Sequence, residues 1–315
     1  LEQGGRYLFF IYSLGETASL IDLDNGVVEN DFITLGGAPG EIELRDNELF
    51  LINSEDNEVV YVNLFSASEN SIEIGDNHNP SHICFIDDRI AAVSNFESGT
   101  VTFIDVEAGN TIADLPVGAG PWGIAYANGL VFVNISNFDA QNFSYGPGRI
   151  VLIDVANLIV LDSLNVGINP SISFFDHQGE LNIICTGDYF TTFGEVWRID
   201  PVTLNVLGNF DLGGSPAYAA LADDGIVYVT WADWSNPASY LMKYNSNTET
   251  VINGSSNPLE IQGELGVQGI TLDEQGNIYV CCMETDHVVR LNSSGVVQDT
   301  FAVGDGPQDI VFGEL

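Results

Sequence analysis

The sequence predicts an all-β chain folded as a single seven-bladed β-propeller of four-stranded antiparallel blades. Three observations predict it. Two columns of turn residues recur through the whole chain, each period holds four short strand-like runs, and the chain opens with three strands but closes with one. No stretch carries a sustained helical period.

The first column ends a β-like run in Asp or Asn, at Asp22, Asn63, Asp105, Asp154, Asp200, Asn245 and Asn292, in steps of 41, 42, 49, 46, 45 and 47 residues. Short polar side chains belong there because they bond the backbone two residues on and open a tight turn. The second column places proline ahead of another strand, at Pro39, Pro80, Pro121, Pro170, Pro216 and Pro307, with Val267 in the seventh place. Proline presets φ where its missing N–H does no harm.

Within each period four runs rich in Val, Ile, Phe, Tyr and Thr alternate with turn signals. In the third they read Ser81–Asp87, Arg89–Asn95, Thr100–Val106 and Asn110–Val117. The opening runs, Arg6–Tyr12, Ala18–Asp22 and Val27–Leu35, lack one partner, and Gln308–Phe312 supplies it. Blade one is therefore shared between residues 6–35 and 307–313. The last strand becomes its innermost, which hides two strand edges.

The segment Val93–Val133, VSNFESGTVTFIDVEAGNTIADLPVGAGPWGIAYANGLVFV, resembles the repeat of the YVTN or surface-layer-type propeller family. The naming tetrad is approximated by Tyr228-Val229-Thr230-Trp231 and Tyr279-Val280-Cys281-Cys282. The pattern spans the chain and is closest in blades three, four and seven. The resemblance implies the fold and leaves function open, since propellers host enzymes, ligand binders and scaffolds alike.

Charge narrows the partners. Seven basic residues stand against 45 acidic ones, a net charge of −38, and Lys243 is the one lysine. Such a surface repels phosphate backbones and anionic lipid, so nucleic-acid and membrane-surface partners are disfavoured. It suits a saline, exposed setting, where screening tames self-repulsion. No apolar run is long enough for a transmembrane helix. The chain begins Leu1-Glu2-Gln3-Gly4-Gly5 without a leader, consistent with a removed signal peptide or a trimmed start. Cys84, Cys185, Cys281 and Cys282 lie inside apolar runs, where buried free thiols are expected.

If successive strands alternate in direction, the loops entering each innermost strand share a face with the loops between second and third strands. Blades four, five and six carry insertions there, Ser136–Arg149, Gly187–Glu195 and Ala232–Tyr240. They bring together Phe138, Phe143, Tyr145, Tyr189, Phe190, Phe193, Trp234 and Tyr240, with Trp122 from the adjoining loop. Apolar residues on long loops point to a binding surface. The bland alternative packs each ring into a small satellite cluster.

Two residues beyond the proline column, side chains are expected near the mouth of the channel. Asp309, Glu41 and His82 stand there on consecutive blades, an arc able to hold a divalent cation or to act as acid and base. The alternative role for these residues is to tie loop to blade. There is no P-loop, GxSxG or HExxH, and no Cys/His spacing fits zinc.

These features lead to an exported, non-catalytic binding, scaffold or surface-layer-like module at the cell surface or outside the cell, with the periplasm as a further location. It is expected to bind a protein partner or itself, and no cofactor is expected beyond a cation at the arc. The alternatives are a metal-dependent lactonase or hydrolase built on Asp309, Glu41 and His82, and a small-ligand or glycan binder using the aromatic loops.

Overall fold

The strand Arg6–Tyr12 shows how this sequence makes its sheets. Tyr7, Phe9 and Ile11 pack with Leu49 and Leu51, whereas Leu8, Phe10 and Tyr12 pack with Tyr279, Cys281 and Val288. Side chains alternate sides along a strand, so a run that is apolar at every position is one buried on both faces. The same division recurs in Leu130–Ile135: Val131, Val133 and Ile135 join the core toward Phe103, and Phe132 the core toward Ile183.

The structure, a computed structural model, describes residues 1–233 and 238–315. It is an all-β, seven-bladed propeller with one antiparallel sheet per sequence period. With strands lettered A to D in pairing order, blade one is Pro307–Glu314, Arg6–Tyr12, Thr17–Asp22 and Val27–Thr34, so the last strand of the chain completes the first blade. Blade two is Pro39–Arg45, Glu48–Asn53, Glu58–Asn63 and Glu69–Glu73; blade three is Pro80–Phe85, Ile90–Asn95, Thr100–Asp105 and Asn110–Pro116. Blade four is Pro121–Ala127, Leu130–Ile135, Arg149–Asp154 and Ile159–Asn165; blade five is Pro170–Phe175, Leu181–Cys185, Glu195–Ile199 and Val206–Asp211. Blade six is Ala219–Leu221, Ile226–Asp233, Ala238–Asn245 and Thr250–Asn253; blade seven is Val267–Leu272, Ile278–Cys282, His287–Leu291 and Val297–Ala302.

Blade six departs from the four-strand plan. Its outer strand breaks after Asn253 and resumes as Leu259–Glu260 beside Tyr240 and Leu241. The intervening turn carries Gly254 and Pro258, and Asn257 Oδ1 accepts the Gly254 N–H. Cys185, Cys281 and Cys282 are buried free thiols as the apolar runs imply, but Cys84 is only half-buried. No helix among the described residues is long and apolar enough to cross a membrane.

Both sequence columns have structural work. At six Asp/Asn positions the side-chain oxygen accepts backbone N–H groups two to four residues ahead: Asp22 from Asp24 and Asn25, Asn63 from Phe65 and Ser66, Asp105 from Ala108, Asp154 from Ala156 and Asn157, Asp200 from Val202 and Thr203, and Asn292 from Ser294 and Val296. After the proline column the A–B ladder slips by one residue. Pro39 faces Asn53 but Glu41 faces Ile52, and the same slip follows Pro80, Pro121, Pro170, Val267 and Pro307. A bulge of this kind re-aims the side chains just past it.

The chain forms two compact units. One comprises Leu1–Ser71, Ala217–Asn245 and Thr250–Leu315, which is blades one, two, six and seven; the other comprises Ile72–Pro216 with Ser246–Glu249, centred on blades three, four and five.

Candidate functional site

Among the described residues, exposed rings concentrate in the second unit, on the B–C connections of blades four and five. In blade four this connection makes a small hairpin, Phe138–Asp139 against Ser144–Tyr145. Asp139 pins it, with Oδ1 accepting the N–H groups of Gln141 and Asn142 at 2.9 and 3.4 Å and Oδ2 accepting Asn142 Nδ2–H at 2.7 Å. Asn137 closes the base, donating from Nδ2 to the Pro147 carbonyl at 2.6 Å. At the tip Phe143 is held at φ +49° with 79% of its surface exposed.

The blade-five connection has no strand but is held as tightly. Asp188 accepts the Thr191 hydroxyl at 2.5 Å and the N–H groups of Phe190, Thr191 and Thr192 at 2.7–2.9 Å. Led by the Thr191 hydroxyl, these donors hold its carboxyl well below the usual carboxylate range. Tyr189 stands at φ +67°, Phe190 is 82% exposed, and Phe193 is exposed on the same connection. A bulky ring in the left-handed region costs about 1–3 kcal/mol and persists only where its surroundings enforce it.

Beneath these tips runs a continuous line of rings. Centroids are 5.2 Å apart for His82 and Trp122, 5.5 Å for Trp122 and Phe96, and 5.7 Å for Phe96 and Phe138. The line continues from Phe138 to Tyr145 at 5.2 Å and on to Tyr189 at 6.1 Å, and Phe143 joins Phe138 at 6.3 Å. Burial pushes the Tyr145 hydroxyl up to about 12. Five of the sequence-selected residues are thus brought together, Trp122, Phe138, Phe143, Tyr145 and Tyr189, while Phe190 and Phe193 stand exposed on the blade-five connection outside the line. Phe96 was missed because it follows a strand in a blade with a short turn. It is the ring that connects Trp122 to the blade-four hairpin.

The other two predicted rings stand differently. Trp234 lies outside the described residues. Tyr240 is a correction: it belongs to the C strand of blade six, paired with Trp231 at a ring separation of 4.9 Å, and not to a loop. The sixth insertion is taken up largely by lengthening its two strands, because Trp231, Ala232 and Asp233 continue the ladder with Tyr240, Ser239 and Ala238.

The acidic arc divides between the units, Glu41 and Asp309 in the first and His82 in the second. Asp309 Oδ2 accepts the Ile42 N–H at 3.1 Å, and a side chain at Gly269 would come within 2.7 Å of the Asp309 Cα. Burial pushes the Asp309 carboxyl up to about 7. Glu43, absent from the predicted arc, is likewise raised to about 7, by burial and then by the Asp309 charge. In His82 burial pushes the imidazole down to about 4, so it joins the line of rings as a neutral ring. Among the described residues no group of three or more His, Cys, Asp or Glu side chains is spaced to hold a metal ion.

No family model matches the chain, and no curated protein matches it. Solved structures do. The chain is similar to a candidate 6-phosphogluconolactonase from Bacteroides uniformis ATCC 8492, with TM-score 0.73 and 11% identity over 99% of this chain and 100% of that one. It is similar to a functionally unknown protein from Desulfotomaculum acetoxidans DSM 771, with TM-score 0.72 and 15% identity over 97% and 98% of the two chains. Kuenenia stuttgartiensis hydrazine synthase gives TM-score 0.72 and 16% identity over 86% and 88%. At these identities what is shared is the propeller fold.

Proposed function

We propose that the chain is a non-catalytic binding module of the YVTN or surface-layer kind, working outside the cell, and that it docks a protein surface through the rings of blades four and five. One observation carries the reading: Phe143, Tyr189 and Phe190 are exposed to solvent on turns fixed in advance by Asp139 and Asp188. Rings held rigid before contact lose little entropy on binding, which is what makes an aromatic anchor effective.

The partner we assign is a second copy of the chain. At −38 any two copies repel through most of their surface, so a contact must form where charge is sparse. Residues 136–149 carry Asp139 and Arg149 as their charged side chains, and residues 187–195 carry Asp188 and Glu195. The composition matches interface cores, which are depleted in charge and enriched in aromatic residues.

Sedimentation from low to high salt tests this. Screening weakens the repulsion but not the ring contact, so the mass should rise with salt, the reverse of a salt-bridged interface. A protein that stays monomeric at high concentration across the whole salt range would end the self-association reading.

A further inference from the structure

We infer that Arg149 is the recognition residue of a binding site for an organic carboxylate. In a chain with 45 acidic and seven basic residues, a cation should never lack a partner. Arg6, Arg89, Arg198 and Arg290 each hold at least one carboxylate, and Lys243 donates to the Ser293 carbonyl. Arg149 pairs with no carboxylate among the described residues; its buried Nε–H lacks an acceptor, as do those of Arg198 and Arg290, but in those two the Nη groups hold carboxylates and in Arg149 they do not.

The repeat supplies its own control. Arg149 opens the C strand of blade four, and the equivalent polar residue is satisfied in every other blade that has one. Thr17 bonds Asp31, Glu58 accepts from Asn53, Thr100 accepts from Asn95, Glu195 accepts from Asn209, and His287 bonds Glu264. Blade six has Ala238 there. Arg149 alone is polar and unpaired, although a half-buried charge without a partner destabilises the fold that carries it.

Its setting is built to admit the guanidinium. Gly118, at φ +124°, lies directly beneath it, and a Cβ at that position would sit 2.4 Å from Arg149 Nη2. In the ladder Arg149 faces Ile135 and Asn165, neither of which bears a charge. The guanidinium therefore keeps its planar fork of donors, the geometry that binds a carboxylate through two parallel hydrogen bonds. A monoanion fits better than a dianion, because each negative charge on a ligand is opposed by the field of a −38 protein. The site stands independently of the docking reading, since the guanidinium lacks its partner whatever the exposed rings contact.

The test is thermal unfolding at fixed ionic strength, with chloride exchanged for benzoate or sulfate and with benzyl alcohol as the uncharged control. Benzoate should raise the Tm of the intact chain by about 2 °C, sulfate and benzyl alcohol by less. Arg149→Met should abolish the benzoate rise while leaving the Tm in chloride equal to or above the parent value, because it removes an unpaired charge. Arg149→Lys should keep part of the rise. A benzoate effect that survives in Arg149→Met, none in the parent, a sulfate rise as large as that of benzoate, or a lowered Tm of Arg149→Met in chloride would overturn the assignment.

Discussion

Asp309 and Glu43 place two raised carboxyls in one region of the first unit, and their sign of pH dependence follows directly. An unfolded carboxyl titrates near pH 4, whereas these titrate near 7 in the folded chain. Between those values the native state holds more protons than the unfolded state, so raising the pH from 4 to 7 erodes stability. The pair should behave as a unit, with macroscopic steps that belong to neither residue alone. Thermal scans should give a higher Tm at pH 5 than at pH 8, and Asp309→Asn should flatten the difference. The turn-capping carboxylates work oppositely. In Asp154 the Asn157 side chain, and in Asp200 the Thr203 N–H, leads the donors that depress the carboxyl, so their contribution is lost as the pH falls below about 4. A scan with no difference between pH 5 and pH 8 in the parent would remove the acidic pair from the account.

Two glycines separate crowding from backbone strain at the same scale. A Cβ on Gly148 would lie 1.9 Å from the Gly167 carbonyl oxygen and 2.7 Å from Pro170 Cδ, whereas Gly129 has open space around it but sits at φ +81°. Gly148→Ala should cost about 3 kcal/mol or more, because backbone must move, and Gly129→Ala only about 1 kcal/mol. Denaturant midpoints for the two variants measure the contrast, and equal losses would contradict it.

At the scale of strands, the pairing of Pro307–Glu314 with Arg6–Tyr12 was legible in advance because three strands at one end and one at the other leave a single completion. Deleting Asp305–Leu315 should bare the edge of Arg6–Tyr12 and uncover Phe9, Phe10 and Ile11, at a cost of several kcal/mol, comparable to the stability of a whole domain. The truncated chain should aggregate or lose its cooperative transition; an unchanged melting midpoint would contradict the strand assignment. The period-2 cores were equally legible, since Leu8 to Tyr12 and Leu49 to Ile52 are apolar without a break. Less was legible where length alone had to decide. An insertion can lengthen a hairpin, as around Trp231 and Tyr240, or build a separate one, as around Phe138 and Tyr145, and residue types do not distinguish the two. The place of Glu43 near Asp309 depends on which way a bulged strand turns its side chains, and that of Phe96 on ring contacts between blades, neither of which spacing along the chain gives. The lack of a partner at Arg149 lies in the contacts around its side chain, which residue type and spacing do not encode.

For the whole molecule, charge sets the terms of association. With 45 acidic residues in the chain, the proposed docking of one copy on another requires a place where that charge is thin, and the pinned rings of blades four and five occupy such a place. The ring surface lies entirely within one unit, so its geometry is fixed by blades three, four and five alone. The dissociation constant of the high-salt assembly, compared between the parent and Phe143→Ala/Phe190→Ala, tests the docking reading most directly. Both rings are largely exposed in the single chain, so their loss should leave the Tm unchanged while weakening association by about 30-fold, as expected for two anchors worth about 1 kcal/mol each. An unchanged dissociation constant in that variant would mean that the rings of blades four and five are not where this protein meets its partner.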